Sequence, residues 1–144
     1  MPLYLCSTSF KPITLGDKER IAKAITDIHC EVTGAPETFV HVFFFDPEQQ
    51  HILKAMLGED VFDGPCQLFG NIRSGRTDDA KARLVDGMRQ AVADILALEF
   101  IDVSMMTRDV EAKWVMEGGD LLPEPGEEAA WLEKHKQKIE LEKC

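Results

Sequence analysis

No apolar run in this 144-residue chain approaches the roughly 18 residues needed to cross a bilayer, and no basic stretch leads into a hydrophobic one near its start. A membrane anchor and a secretory leader are therefore not expected, and a cytoplasmic location is. Cysteine is sparse and scattered: Cys6, Cys30, Cys66 and Cys144 form no CxxC pair, and a core of this size needs no disulfides, so free thiols are expected. His29, His41, His51 and His135 stand at no ligand spacing and HExxH is absent, which predicts no metal. Neither GxGxxG nor GxxxxGK[ST] occurs, so no phosphate-cradling loop is expected. Base is scarce as well. Sixteen Lys and Arg against 26 Asp and Glu leave a net charge of −10, the wrong sign for a nucleic-acid footprint. In such a field an anionic ligand depends on cations clustered locally, and one pair stands out, Arg73 and Arg76.

The remaining composition, 44% hydrophobic and 29% charged, suits one globular domain over residues 1–144. Residues 2–8 read as a strand. Thr14 with Asp17 resembles a capping box opening a helix to Thr33, stopped at Gly34, with Ile21, Ala24, Ile25, Ile28 and Val32 on its apolar face. Glu37–Phe45 follows as a strand apolar on both faces, which implies a sheet interior or a sheet covered by partners. A looser segment, Asp46–Pro65, carries a short helical pattern at Gln50–Leu57. The scheme then repeats with a strand at Cys66–Ile72, a helix at Asp78–Leu98 capped by Thr77, and a strand at Phe100–Met106. Leu84, Met88, Ala91, Val92 and Ile95 line that helix.

Two consecutive β-α-β units, 2–46 and 66–107, predict an α/β (α+β) fold. Right-handed crossovers place both helices on one face of a mixed four-stranded sheet. The other face is left bare, and a closed ring of copies, such as a trimer, would cover it. Residues 108–144 form a C-terminal extension. It contains the turn Glu117-Gly118-Gly119-Asp120 and a polar helix from about Glu127, docked by Trp131, Leu132, His135 and Ile139.

Four features carry possible chemistry. If Met1 is removed, Pro2 presents a secondary amine at the head of a buried strand, and an N-terminal amine titrates at roughly 7.7–8.0, where burial can poise it for proton transfer. Arg73-Ser74-Gly75-Arg76-Thr77 lies between a strand end and a helix N-terminus, where backbone N–H groups favour an anion and two guanidiniums would grip a carboxylate. The plainer alternative is a surface pair bridging to Asp78 and Asp79. His29, one step round from Ile28, points either into a pocket or along the sheet. Glu117 precedes two glycines, so it either reaches into a cleft or is an ordinary acid beside a turn. Trp114 and Trp131 are expected in a core or interface.

Pro2 opening a strand, Ala22-Lys23-Ala24-Ile25-Thr26-Asp27-Ile28-His29, Gly70-Asn71-Ile72-Arg73-Ser74-Gly75-Arg76, and Met116-Glu117-Gly118-Gly119 with Leu122-Pro123-Glu124-Pro125-Gly126 together resemble the tautomerase superfamily, in particular its cis-3-chloroacrylic acid dehalogenase group. The resemblance implies fused β-α-β units assembling as a homotrimer, with no organic cofactor or metal. It implies Pro2 as the catalytic amine, Arg73 and Arg76 as binders of the substrate carboxylate, His29 as an orienting group and Glu117 as the activator of water. The group's tyrosine on the last strand has no counterpart here. Tyr4 is the one tyrosine, and Val103-Ser104-Met105-Met106 offers serine or methionine, so dehalogenation is expected to be weak. The function implied is hydration or hydrolytic dehalogenation of small unsaturated acids. Keto-enol tautomerisation of a phenylpyruvate or 2-hydroxymuconate type, and a non-catalytic binding or signalling trimer, are the alternatives.

Overall fold

The computed structural model describes residues 1–47 and 64–142, so the helical pattern at Gln50–Leu57, His51 and Cys144 lie outside the described residues, as does the Ile139 side chain. Strand β1 (Leu3–Thr8) leads to helix α1 (Leu15–Thr33), whose N-cap hydroxyl, Thr14 Oγ1, accepts from the Asp17 N–H at 3.2 Å. Gly34 ends α1 in the left-handed conformation (φ 72°) and donates its N–H to the Cys30 carbonyl. After a 3-10 turn at Glu37–Phe39 comes β2 (His41–Phe45), then β3 (Cys66–Arg73), α2 (Asp78–Leu96), a 3-10 turn at Phe100–Asp102, β4 (Val103–Val110), the hairpin strands β5 (Met116–Glu117) and β6 (Asp120–Leu121), and α3 (Glu128–Glu142).

The main sheet runs β2-β1-β3-β4, with β1 parallel to β2, antiparallel to β3, and β3 parallel to β4. This is the mixed sheet expected from two β-α-β units. Period-2 alternation sends Tyr4, Cys6, Cys66, Leu68 and Ile72 to one face, where they pack with Ile21 and Ile25 of α1 and Leu84, Met88 and Val92 of α2. Burying such a face is what holds helices of this length, since helical propensity alone is weak. No described helix is long and apolar enough to cross a membrane.

Five expectations need correction. The Glu37–Phe45 run is not one strand, because Phe39 turns inward to a separate cluster with Ala112 and Leu122 and only His41–Phe45 pairs with β1. That strand is a sheet edge rather than an interior, with Phe43 54% exposed. Helix α2 stops at Leu96, two residues early, because Ala97 adopts the left-handed conformation (φ 55°). The last strand starts at Val103 instead of Phe100, since the Asp102 carboxylate accepts from the Glu99 N–H and winds the intervening residues into a 3-10 turn. The second sheet face is also not bare: Leu5 and Phe69 are buried there among Leu3, Phe45 and Met106, and the Arg108 guanidinium lies 5.7 Å from the Phe69 ring centre.

One close approach ties the fold to the site. A Cβ at Gly70 would fall 2.7 Å from Tyr4 Cε1, so only glycine lets β3 pass beneath the fully buried Tyr4 ring. Gly70→Ala is expected to destabilise the fold by about 1–3 kcal/mol, as overpacking of a tight core does, measured by urea denaturation.

Candidate active site

Antiparallel register sets Leu3 opposite Asn71, and parallel register sets it beside His41 and Arg73 beside Val110. The chain's first residues, the end of β3, the start of β2 and the exit from β4 therefore converge at one end of the sheet. Helix α1 returns antiparallel to β1 and delivers His29 and Thr33 to the same end. The Glu117 hairpin and α3 close over it. Its two-residue turn uses Gly118 (φ 58°) and Gly119 (φ 79°), a geometry that demands positive φ at both positions.

Glu117 reaches into this end and forms an ion pair with the Met1 ammonium. The same carboxylate oxygen lies 3.3 Å from His41 Nε2. Burial pushes the terminal amine below its ordinary value, and Arg73 adds to that effect, while Glu117 opposes it. Pro2 itself is buried, its nitrogen committed to the peptide bond with Met1 and its carbonyl accepting from the His41 N–H at 3.0 Å. The free amine in this structure is that of Met1, and the Pro2 nitrogen becomes an amine only on removal of Met1, the condition attached to that expectation.

The two arginines do converge, and not on Asp78 or Asp79. Arg73, 2% exposed, donates from Nη1 to the Pro123 carbonyl at 2.6 Å and from Nη2 to Glu128 Oε1 at 2.5 Å. Arg76 donates from Nη1 to the Thr33 carbonyl at 3.2 Å, with its Nη2 3.7 Å from the same Glu128 oxygen. Glu128 Oε2 accepts from the Gly126 N–H at 2.8 Å. Its carboxyl is held below the usual range: desolvation works against this, and hydrogen bonds from backbone N–H groups and from Arg73 outweigh it.

His29 sits on the buried i, i+4 stripe with Ile21 and Ile25, at its centre rather than at its edge. Its Nδ1 is 2.7 Å from the Tyr4 hydroxyl, and its buried Nε2 has no hydrogen-bond partner among the described residues. An orphaned buried polar atom costs about 1–3 kcal/mol, so a ligand oxygen at Nε2 would relieve a standing penalty. Burial, then Arg76, Arg73 and the terminal amine, lower its pKa to about 3, so the imidazole is neutral at neutral pH.

Beside Glu117 opens a cavity of about 330 Å³ walled by Thr38, Phe39, Gly118, Trp131 and His135. Trp131 meets Phe39 edge to face and stacks on His135 at 4.9 Å, so it forms pocket wall as well as helix dock. Trp114, by contrast, is 74% exposed rather than buried in the core. Sequence reasoning missed Glu128, His41 and the Tyr4 phenol. Glu128 had a readable signal, since it follows Pro125-Gly126 at the head of a helix; His41 and Tyr4 had none, because their partners are 76 and 25 residues away in sequence.

The family described as "Putative oxalocrotonate tautomerase enzyme" matches residues 1–136. No curated protein sequence matches the chain. Among solved structures, N1, a member of the cis-3-chloroacrylic acid dehalogenase (cis-CaaD) family, is similar at 29% identity and a TM-score of 0.78, covering 99% of this chain and 100% of its own. Native fused 4-OT is similar in fold, at 19% identity and a TM-score of 0.67, over 83% of this chain and 95% of its own. A fused 4-OT described as a symmetric trimer shares the fold too, at 22% identity and a TM-score of 0.64, over 84% and 95%.

The depressed His29 pKa makes stability depend on pH with a definite sign. The unfolded imidazole takes up a proton near its ordinary 6.5 and the folded one only near 3, so stability is fully present above about 6.5 and is lost as pH falls toward 3. The expected slope from this residue is about 1.4 kcal/mol per pH unit within that window. Denaturation curves across pH should show His29→Gln losing that component of the slope.

Proposed function

The chain belongs to this tautomerase family and is similar to its cis-3-chloroacrylic acid dehalogenase group, and from that premise we propose a cofactor-independent enzyme that uses the Pro2 amine on small unsaturated or keto carboxylic acids. The observation that carries the reading is the meeting, at one sheet end, of a desolvated terminal amine on a carboxylate and an arginine pair around an orphaned, neutral histidine. Removal of Met1 frees the Pro2 nitrogen and vacates the place beside Glu117 that the Met1 ammonium fills.

In the hydration reading, arginine holds the substrate carboxylate and His29 Nε2–H orients it. Glu117 takes a proton from water as the oxygen bonds to C3, and the prolinium gives its proton to C2. Where C3 carries a halogen, the 3-halo-3-hydroxy adduct collapses to the 3-oxo acid: the C–halogen bond breaks and halide leaves as the hydroxyl oxygen forms C=O and gives its proton to water. Rate comes from positioning and from charges placed before the reaction begins. His41 at 3.3 Å steadies Glu117, and Met106 and Ser104 on β4 supply no phenol, which limits dehalogenation. The family description supports a second reading, keto-enol tautomerisation, in which Pro2 is neutral and Glu117 is dispensable. A homotrimer fits both, because the exposed apolar residues Phe43, Trp114, Met116 and Leu121 need covering and a solved relative in fold is a trimer.

Three measurements test this. Mass spectrometry is expected to show loss of Met1, and retention of Met1 in the active protein would end the Pro2 mechanism. On the processed protein, Pro2→Ala should lower turnover of 3-carbon unsaturated acids or phenylenolpyruvate at least 100-fold, followed by proton NMR; Glu117→Gln should abolish hydration and spare any tautomerase activity. Light scattering is expected to give about three times the 16.2 kDa chain mass.

A further inference from the structure

The arginine pair already holds a carboxylate of the chain's own. Glu128 Oε1 lies 2.5 Å from Arg73 Nη2 and 3.7 Å from Arg76 Nη2, and the glutamate side chain is 9% exposed. Arg73 is withdrawn from solvent, its side chain 1% exposed, and spends one Nη donor on this contact and one on the Pro123 carbonyl. Arg76 is less committed: one contact to the Thr33 carbonyl and one long approach to Glu128 leave donors of its five-donor fork for a ligand.

The charges can be counted. Arg73 and Arg76 contribute two positive charges and Glu128 one negative, and His29 contributes none at neutral pH, so this buried cluster carries one net positive charge. Glu117, the next charged group, is negative; it pairs with the Met1 ammonium here, and in the processed protein the Pro2 amine is the cation nearest to it. A ligand with one carboxylate meets a balanced site. A second carboxylate on the same ligand would find no unpaired cation among the described residues of this pocket and would lie in a low-dielectric region close to Glu128 or Glu117, where like charges repel strongly.

We propose that Glu128 is a specificity-determining residue: by neutralising Arg73 it restricts the pocket to small monocarboxylates held by Arg76, and it excludes dicarboxylates. The inference rests on the carboxylate-site reading above and deepens it. Glu128 acts through the arginines, so it is a positioning residue and not a catalytic one. Its side chain also anchors α3, but a purely structural role would change the affinity for every acid alike.

Crotonate and fumarate separate the two roles, since they differ only by a carboxylate in place of a methyl group. Titration of the processed protein, followed by NMR at pH 7 and low salt, is expected to show crotonate binding at least tenfold more tightly than fumarate. Glu128→Gln, which keeps the shape and one acceptor oxygen, is expected to shift that ratio at least tenfold toward fumarate. Equal shifts for both acids in the variant would overturn the proposal, as would a wild type that binds fumarate as tightly as crotonate. That wild-type ratio decides the matter if the variant does not fold. A wild type that binds neither acid would instead overturn the carboxylate-site reading itself.

Discussion

The Arg73–Glu128 ion pair joins the last residue of β3 to the first residue of α3, and both partners are almost wholly removed from water. Desolvating two charges is expensive, and a buried pair is tolerated only when the remaining donors and acceptors are also satisfied. Here they are. Pro123 accepts from Arg73, Gly126 donates to Glu128, and the Arg73 guanidinium lies 5.5 Å from the Phe39 ring centre. Phe39 in turn meets Trp131 edge to face, so the C-terminal helix, the turn before β2 and the end of the sheet form one packed unit around that pair. The hairpin carrying Glu117 is held in the same unit, because Trp131 donates from its indole to the Leu121 carbonyl at 2.8 Å.

The electrostatics of the site follow from that arrangement. Two guanidiniums and a terminal amine crowd around His29, and a buried imidazole in such company stays neutral. The Tyr4 hydroxyl meets Nδ1, and Nε2 is the ring atom without a partner among the described residues; where the hydroxyl donates to Nδ1, the proton sits on Nε2. A neutral donor beside an arginine suits a carboxylate ligand and takes no proton from it. The Met1 amine is depressed by burial and by Arg73 and pulled the other way by Glu117.

Local signals were readable where chemistry and sequence distance coincide. Thr14 and Thr77 cap the helices they precede, with their hydroxyls accepting from N–H groups three residues on, and Gly34 stops α1. The strand at β3 and the i, i+4 stripes of α1 and α2 were equally visible, because period and burial agree. Readings failed where a side chain answered to something remote. Phe39 looks like part of a strand and turns away to pack with Ala112 and Leu122; Asp102 looks like strand and instead caps a turn. Arg73 and Arg76 stand out as a cationic pair from spacing alone, with a ligand carboxylate or, as the plainer alternative, Asp78 and Asp79 as the expected counter-charge; the carboxylate Arg73 meets is Glu128, 55 residues away.

Composition, caps and periodicity were enough to specify two β-α-β units, a mixed sheet with helices on one face, and a short roster of reactive groups, because each of those properties depends on residues within a few positions of one another. Which of those groups meet was settled by the folded chain alone. Sheet register brings the chain's first residues to the end of β3, and the return of the C-terminal segment supplies both Glu117 for the amine and Glu128 for Arg73. Those pairings span 116 and 55 residues, and no local preference encodes them. They form as Phe39, Leu122 and Trp131 pack together, which lays the C-terminal segment against the end of the sheet.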